Sequence, residues 1–211
     1  MSSGIRLRTP RLLLRPFAVG DLEDLHAYRS RPEVVRYLDA EVLDRRGTAD
    51  LLRRRMVLDR LVEPGDTLVL AAELDGRVVG DVSLAWTSAE HRQGEIGFAF
   101  HPRVHGHGVA AEATTALLDL ATGPVGLHRV SGRCDARNTA SARLLARLGL
   151  RQEAHLVHHE WFKGAWGDEL VFAVLDDEWR ELRSRVVPAR SAGADAAARP
   201  APALRRPALP S

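Results

Sequence analysis

Residues 93–113 read QGEIGFAFHPRVHGHGVAAEA, and this is the most informative stretch of the sequence. Its first part alternates between two faces, as a half-buried β-strand does. The two faces are Ile96, Phe98 and Phe100 on one side and Glu95, Gly97 and Ala99 on the other. A loop over 102–107 follows, and an apolar stripe then predicts a helix over residues 108–122. The stretch therefore predicts a strand, a glycine-containing loop and a helix in direct succession.

Hydrophobic periodicity extends this unit in both directions. The predicted elements are a strand at 10–17, helices at 20–30 and 48–62, a hairpin of 67–74 and 77–86 around Asp75-Gly76, a strand at 128–135, a helix at 138–148 closed by Gly149, and strands at 151–162 and 168–176. The strand–helix–strand piece from 93 to 135 is predicted to be a parallel right-handed unit. The pattern indicates an α/β fold in which a mixed sheet carries helices on its faces.

Composition predicts one globular domain with an appendage. The chain has 211 residues, of which 45% are hydrophobic and 27% charged. We expect a single domain over residues 1–187 and a disordered tail over 188–211, which is rich in Ala and Pro. The longest apolar run is Leu170–Leu175, too short to cross a membrane. A single cysteine and no visible secretory signal predict a cytoplasmic protein.

The charge balance argues against nucleic-acid binding. The formal net charge is +2, but the tail at 188–211 holds four arginines and one aspartate. Residues 1–187 therefore carry a net charge of −1 once the tail's +3 is subtracted. Bulk attraction to a polyanion is not expected of such a domain.

The loop between the strand and the helix has the chemistry of an anion site. A helix begins with unpaired N–H groups and a partial positive charge, and glycines let a phosphate approach them closely. An ordinary turn stays an alternative, and so does a dinucleotide fold, because Gly106, Gly108 and Ala111 satisfy G-x-G-x-x-A. The dinucleotide match is weak, since the motif lies mid-chain after a hairpin. A P-loop is excluded because no Gly-Lys-Ser/Thr occurs.

A family resemblance accounts for more of the chain. Arg103-x-x-Gly106-x-Gly108 resembles the Q/R-x-x-G-x-G/A acyl-CoA motif of the GNAT N-acetyltransferases. The segments GEIGFAFHPRVHGHGVAAEA and LHRVSGRCDARNTASARLLARLGL resemble the RimJ/RimL-like, ribosomal-protein-modifying branch in pattern and order. The opening TPRLLLRPF…DLEDLHAY and the late GDELVFAVLDDEW fit it as well, so the resemblance covers roughly residues 8–180.

The resemblance implies a mostly antiparallel sheet with one splayed parallel pair, and acetyl-CoA as the co-substrate. The strand backbone before the loop would bond the pantetheine arm, and the loop amides would hold the pyrophosphate. The expected cofactor-binding residues are Phe98, Ala99, Phe100, Arg103, Val104, His105, Gly106, His107, Gly108, Val109, Ala110, Asn138 and Arg143.

The same resemblance implies direct attack by a primary amine in a ternary complex. Glu95 is the expected general base, and Ser141 is a candidate to protonate the leaving thiolate or to bind the substrate. Many family members use a tyrosine acid near the helix at 138–148, whereas both tyrosines of this chain are N-terminal. Cys134 is expected to be a plain strand cysteine, and Glu112 a structural residue near a helix start.

Several questions stay open at this point. The acceptor is a protein N-terminal α-amine or a small-molecule amine, chosen by residues 20–62 and 155–167. Alternatives are a succinyl-CoA-type acyltransferase, which the Arg53–Arg55 cluster would favour, and a catalytically silent CoA-binding or protein-interaction domain. No metal site is expected, since the histidines lack a recognisable zinc spacing. No nucleic-acid or membrane partner is expected, and a homodimer is a general prior for small enzymes.

Overall fold

The computed structural model describes residues 4–186, so the predicted tail at 188–211 lies outside the described residues. Eight strands and six α-helices are found in this range. The strands are β1 (Leu7–Arg8), β2 (Leu12–Arg15), β3 (Thr67–Leu74), β4 (Arg77–Ser88), β5 (Gln93–Phe100), β6 (Arg129–Asp135), β7 (Arg151–Phe162) and β8 (Ala165–Leu175). The helices are α1 (Leu22–Arg29), α2 (Pro32–Val35), α3 (Arg45–Met56), α4 (Val109–Thr122), α5 (Thr139–Arg147) and α6 (Asp176–Val186).

The strands form one open mixed sheet in the order β1-β2-β3-β4-β5-β6-β8-β7. Within residues 4–186, β5 and β6 are the one parallel pair, and the remaining neighbours are antiparallel. The mixed, mostly antiparallel sheet expected from the sequence is therefore confirmed. The predicted hairpin of β3 and β4 is also present, and its turn residues Asp75 and Gly76 both have positive φ, of 50° and 75°.

The parallel pair separates part-way along its length. β5 pairs with β6 only from Gln93↔Arg129 to Ile96↔Gly132. Beyond that point β5 stays bonded to β4 as far as Gly80↔Phe100, while β6 stays bonded to β8 as far as Asp135↔Glu169. The two halves of the sheet thus diverge, and the β6-facing edge of residues 97–100 is left without a strand partner among the described residues.

Helices cover both faces of the sheet, as the sequence predicts. α4 buries its apolar stripe, including Leu117 and Leu118, in the main core with Leu70, Leu84 and Ile96. α1 and α3 pack on the opposite face around a smaller core. That second core contains Phe17, Leu25, Tyr28, Leu52, Val69, Ala71, Val78 and Ala99. No helix in the described part of the chain is long and apolar enough to span a bilayer.

Some element boundaries differ from the predictions. The helix expected at 48–62 is α3, Arg45–Met56. It starts earlier because the Asp44 carboxylate caps it by accepting from Gly47 N at 2.7 Å. It ends earlier because the next residues leave it for β3, where Val69 N donates to Leu58 O at 2.7 Å. The strand expected at 10–17 is the shorter β2, and the sequence did not predict β1, α2 or α6.

Candidate functional site

The loop after β5 is tied together by its own histidines. The Nδ1 of His101 accepts from the backbone N–H of Arg103 at 3.0 Å, and His105 Nε2 lies 3.2 Å from Phe100 O. Burial and the nearby Arg31 and Arg103 guanidiniums lower the pKa of His101, so its neutral form serves as this acceptor. The three loop histidines therefore act as local hydrogen-bonding groups in this structure.

Two glycines in the loop adopt a conformation that other residues avoid. Gly106 has φ 78°, and Gly108, the residue before α4, has φ 76°. A Cβ atom at Gly106 would have no heavy atom within 4 Å, so the space above it is open. An anion could therefore approach the backbone at Gly106 without meeting a side chain.

Part of the predicted amide cradle is free to bind a ligand. The amides of Val104, His105 and His107 already donate to loop carbonyls. The amides of Gly106, Gly108, Val109 and Ala110 have no acceptor among the described residues. The unpaired donors are thus concentrated at the second half of the loop and the first turn of α4, where the helix dipole favours an anion.

Arg11 supports this loop from below, a role that the sequence analysis missed. Its Nε donates to Glu112 Oε2 at 2.6 Å and its Nη1 to the carbonyl of His107 at 2.9 Å. Thr9 Oγ1 also donates to Glu112, at 2.5 Å. Burial opposes the charged form of Glu112, but these hydrogen bonds outweigh it and lower its pKa. Glu112 therefore fastens the β1–β2 turn to α4, in line with its expected structural role.

A small cleft lies where β5 leaves β6. Its volume is about 90 Å³. Its lining brings together residues of β5, β6 and α5 that are far apart in sequence. Among them are the predicted site residues Phe98, Asn138 and Ser141. The lining residues are Tyr37, Leu38, Ile96, Gly97, Phe98, Gly132, Arg133, Cys134, Asn138, Ser141 and Leu145.

Two polar residues at the start of α5 line this cleft and have hydrogen-bonding groups without a partner among the described residues. The side-chain oxygen of Asn138 caps α5 by accepting from Ser141 N at 3.1 Å, while its NH₂ group has no partner among the described residues. The Ser141 hydroxyl is likewise without one. Arg143, by contrast, is exposed and bonds back to Thr139 on its own helix, at 3.1 Å, so it does not line the cleft.

The cleft also receives two residues whose proximity the sequence did not reveal. Tyr37 follows α2 and comes from a distant part of the chain, yet it lines the same cleft as Ser141 and Asn138. Cys134 lies there as well, and burial, followed by the charges of Asp135 and Glu169, raises the pKa of its thiol to about 11. The Cys134 thiol therefore stays protonated at neutral pH. The position of Tyr37 in this cleft could not be predicted from any signal in the sequence.

Lys163 holds the Tyr37 segment in position. Its Nζ donates to the carbonyls of Val35 and Ala40 at 2.7 and 2.8 Å. This contact joins the β7–β8 turn to the connection between α2 and α3. The two regions expected to choose the acceptor, 20–62 and 155–167, therefore meet over the cleft.

A larger cavity of about 490 Å³ opens on the α1–α3 side of the same strand. It shares Leu38, Gly97 and Phe98 with the small cleft, so the two meet where β5 loses its parallel partner. The further lining residues are Arg29, Asp39, Ala40, Glu41, Leu43, Leu51, Arg54, Arg55, Asp81, Ser83 and Ala99.

Asp81 anchors the buried wall of this cavity. It accepts from Tyr28 Oη at 2.5 Å and from Arg29 Nη2 at 2.9 and 3.1 Å, and Arg55 Nη1 lies 2.6 Å away. Burial alone would raise the pKa of Asp81, but the guanidiniums of Arg29 and Arg55 outweigh it and lower the pKa from 3.8 to about 2. Asp81 is therefore ionised at any physiological pH.

Glu95 lies on the same face of β5 as Gly97 and Ala99, as the alternation predicts, and it forms an ion pair. Its Oε2 accepts from Arg133 Nε at 3.0 Å, and Arg133 also donates to Glu169 at 3.0 Å. Its side chain is 37% exposed and lines neither cavity. The Oε1 atom has no partner among the described residues and is open to water.

One side-chain cluster in residues 4–186 has the composition of a metal site. The ligand atoms of His159, Glu160 and Glu169 lie within 4.8 Å of one another. Two of these residues are exposed, and Glu169 already accepts from Arg133. The loop histidines His101, His105 and His107 are not part of this cluster.

A comparison with protein families decides what this arrangement belongs to. A model described as "Acetyltransferase (GNAT) domain" matches residues 11–151. The chain belongs to the GNAT family of acetyltransferases. The splayed pair and the glycine loop are thus features of a GNAT enzyme, and the expected fold is confirmed.

Named relatives agree with the family. "Uncharacterized N-acetyltransferase YnaD" of Bacillus subtilis is 25% identical over 175 residues, which cover 83% of this chain and 99% of the relative. A crystal structure of a GNAT-family acetyltransferase from Bacillus anthracis is 28% identical with a TM-score of 0.74, covering 82% of this chain and all of the other. The match therefore extends over nearly the full length of both relatives and over 82–83% of this GNAT chain.

A more distant structure shares the fold alone. The ribosomal L7/L12 α-N-protein acetyltransferase RimL, solved in complex with coenzyme A, has a TM-score of 0.72 at 17% identity and covers 81% of this chain and 98% of its own. At this identity the likeness concerns the GNAT architecture and does not extend to the acceptor.

Replacing Asp81 should destabilise the protein strongly. Asp81→Asn leaves the buried guanidiniums of Arg29 and Arg55 without their counter-charge, which we expect to cost about 3–5 kcal/mol of the free energy of unfolding in urea at pH 7. Asp39→Asn, on the exposed rim of the same cavity, is the control and should change little.

The pH dependence supplies a second check of the same network. Because the pKa of Asp81 is lowered on folding, its stabilising contribution is fully present above its ordinary pKa of 3.8 and is lost as pH falls toward about 2. The difference in stability between the unmodified protein and Asp81→Asn should therefore narrow below pH 4. An unchanged difference between pH 7 and pH 2.5 would contradict the assignment.

Proposed function

We propose that this GNAT enzyme transfers an acetyl group from acetyl-CoA to a primary amine by direct attack in a ternary complex. One observation carries the proposal: the unpaired strand edge at residues 97–100 leads directly to the free amides of Gly106, Gly108, Val109 and Ala110. The pantetheine arm contains amides and can pair with such an edge as a short strand would. The diphosphate then reaches the start of α4.

The described residues fit this co-substrate along its length. The pantetheine arm would bond the backbone of Phe98 to Phe100 and the free NH₂ group of Asn138. The phosphates would lie against the second half of the loop, with Arg103 exposed beside it. Arg143 is bonded to its own helix and would contact the phosphates only after leaving Thr139.

In the reaction, the neutral amine attacks the thioester carbonyl, the C–N bond forms and the C–S bond breaks. The amine proton passes to Glu95 through water, since the Oε1 atom is open to solvent while Oε2 is held by Arg133. A peptide α-amine, with a pKa of about 7.7–8.0, asks less of such a base than a lysine amine at about 10.4. We therefore favour α-amines or weakly basic small amines, in keeping with the RimJ/RimL-like branch.

The leaving thiolate has two candidate proton donors in the small cleft. Ser141 comes from α5 and Tyr37 from the connection between α2 and α3. A phenol ordinarily gives up its proton far more readily than an aliphatic hydroxyl. Tyr37 therefore supplies the acid from a different part of the chain, since no tyrosine lies near α5 in sequence. Ser141 is assigned to substrate or thioester binding.

The remaining expectations stay predictions. A succinyl-CoA-type donor and a silent CoA-binding domain are the alternative functions, and cytoplasmic location and freedom from metal stay expected. A homodimer also stays a prediction, and β7, at one edge of the described sheet, offers a surface for it because Val157 and Trp161 are 69% and 63% exposed.

Gly106→Asp should abolish coenzyme binding. The new carboxylate would lie where the phosphates bind, and repulsion at that range predicts a dissociation constant for acetyl-CoA weaker by roughly 100-fold or more. Gly164→Asp is the matched control, because Gly164 also has positive φ (81°) and open space but lies in the β7–β8 turn. Calorimetry measures both, and normal affinity in Gly106→Asp would remove the loop from the coenzyme site.

Glu95→Gln should lower turnover more than coenzyme affinity. A general base typically contributes about 10²–10⁴-fold, so we expect kcat to fall by roughly 100-fold at neutral pH with little change in acetyl-CoA binding. Glu169→Gln, which loses a contact to the same Arg133, controls for the ion pair and should keep kcat within about threefold. Equal effects of the two substitutions on kcat would show that Glu95 acts only through its ion pair with Arg133.

Tyr37→Phe and Ser141→Ala separate the two proton donors. We expect Tyr37→Phe to lower kcat by roughly 100-fold and Ser141→Ala mainly to raise KM. Thiol release followed from pH 6 to pH 10 should show that Tyr37→Phe alone loses the basic limb of the kcat profile. The reverse pattern would assign the acid to Ser141, and undiminished kcat in both would leave the thiolate to depart without an acid.

A further inference from the structure

The buried wall of the larger cavity holds more guanidinium donors than its carboxylate can accept. Arg29 and Arg55 flank Asp81, and their side chains are 7% and 13% exposed. Together two guanidiniums carry about ten N–H donors. Asp81 is already contacted by Tyr28, Arg29 and Arg55, so its oxygens have little capacity left.

The surplus is visible at individual atoms. Arg29 bonds only through Nη2, and its buried Nε has no hydrogen-bond partner in residues 4–186. Arg55 Nη1 lies close to Asp81 but lacks a hydrogen bond of good direction. Both atoms have almost no exposed surface, so a ligand would bond to the parts of the two guanidiniums that line the cavity. Unmade hydrogen bonds of buried cations are costly, so the two side chains favour a further negative group beside them.

Charge on this wall points in the same direction. Two arginines against one aspartate leave a net charge of +1 in the buried part of the cavity. The other charged lining residues, Asp39, Glu41 and Arg54, are exposed at the rim, where water screens them. The unbalanced charge is therefore positive and lies inside.

The cavity connects this wall to the reaction centre. Asp81 lies opposite Ala99 across the β4–β5 ladder, and the same cavity is lined by Gly97 and Phe98. These β5 residues belong to the unpaired edge at which the thioester is proposed to lie. A molecule in the cavity can thus reach the thioester with one end and the arginines with the other.

We propose that the Arg29–Arg55 wall binds a carboxylate of one of the two reactants, most directly that of an acceptor carrying both an amine and a carboxylate. Amino acids and peptides with an acidic side chain are of this class, because arginine recognises carboxylates with paired N–H donors. Polyamines are disfavoured, since they would add positive charge beside the two arginines. The proposal rests on the proposed acetyl transfer and deepens it.

The same chemistry has a second source, the terminal carboxylate of a dicarboxylic acyl group such as succinyl. Its acyl end would also lie at the unpaired edge of β5. The experiment therefore needs two arms, one that varies the acceptor and one that varies the acyl donor.

The first arm compares acceptors that differ in one carboxylate. With acetyl-CoA, dipeptide amides Ala-Glu-NH₂ and Ala-Gln-NH₂, and Ala-Asp-NH₂ and Ala-Asn-NH₂, share the same α-amine. We expect kcat/KM to be roughly tenfold or more higher for the acidic member of at least one pair, as a charged hydrogen bond allows. The second arm compares succinyl-CoA with acetyl-CoA on the neutral peptides, where a similar preference would place the carboxylate on the acyl group.

A variant ties the preference to the wall. Arg55→Met should remove most of the preference, so that the ratio of kcat/KM for the acidic and the neutral peptide falls by roughly tenfold. Arg53→Met is the control, since Arg53 lies on the same helix, is 72% exposed and lines neither cavity. The preference is measured first in the unmodified protein, so the test stands even if Arg55→Met does not fold.

The outcomes separate this proposal from the proposed function. Acetylation of acidic and neutral peptides at equal rates, with no preference for succinyl-CoA, overturns the carboxylate site and keeps the acetyltransferase. Coenzyme binding without turnover of any peptide overturns the proposed acetyl transfer. In that case, calorimetry of Ala-Glu-NH₂ and Ala-Gln-NH₂ with the CoA-loaded protein decides the carboxylate site, and equal affinities overturn it.

Discussion

The site depends on a set of backbone hydrogen bonds that β5 and β6 do not make. Parallel strands that start in register would normally continue to pair, yet here the ladder ends at Ile96 and Gly132. Each strand keeps its outer neighbour, β4 or β8, so the sheet as a whole stays intact. The unmade bonds leave polar groups that a ligand can satisfy. A local loss of pairing thus opens the sheet and leaves unpaired backbone groups beside the opening.

Three independent parts of the chain converge on that opening. The loop and α4 provide unpaired amides on one side, and α5 provides the free groups of Asn138 and Ser141. The connection between α2 and α3 covers the opening and carries Tyr37. Arg11, through Glu112 and the His107 carbonyl, holds the amide-bearing loop in place. Positions that look unrelated in sequence are thereby fixed relative to one another.

Local signals explain which parts of this structure could be read from the sequence. Alternation revealed β5, the Asp75-Gly76 turn revealed the hairpin, and Asn138 revealed the start of α5. The acidic residues in the first turn of α6 are an equally local signal, from which this helix could have been predicted. Tyr37 and the Asp81 network could not be found this way, because they exist only through contacts between distant positions. Contacts between distant positions leave no periodic pattern in a sequence. The residues that such contacts bring to the cavity walls could therefore not be predicted.

The Lys163 contact has a consequence of a different kind. Lys163 is the only lysine of the chain, so apart from the N-terminus it is the one aliphatic amine that the protein itself carries. Its ammonium is occupied by the carbonyls of Val35 and Ala40. Acylation would remove the charge and leave the nitrogen a single N–H, so it could no longer make both contacts that hold this segment. The one side-chain amine of this acetyltransferase is thus part of its own structure, and amine-selective labelling of that side chain would report on the contact between the β7–β8 turn and the connection between α2 and α3.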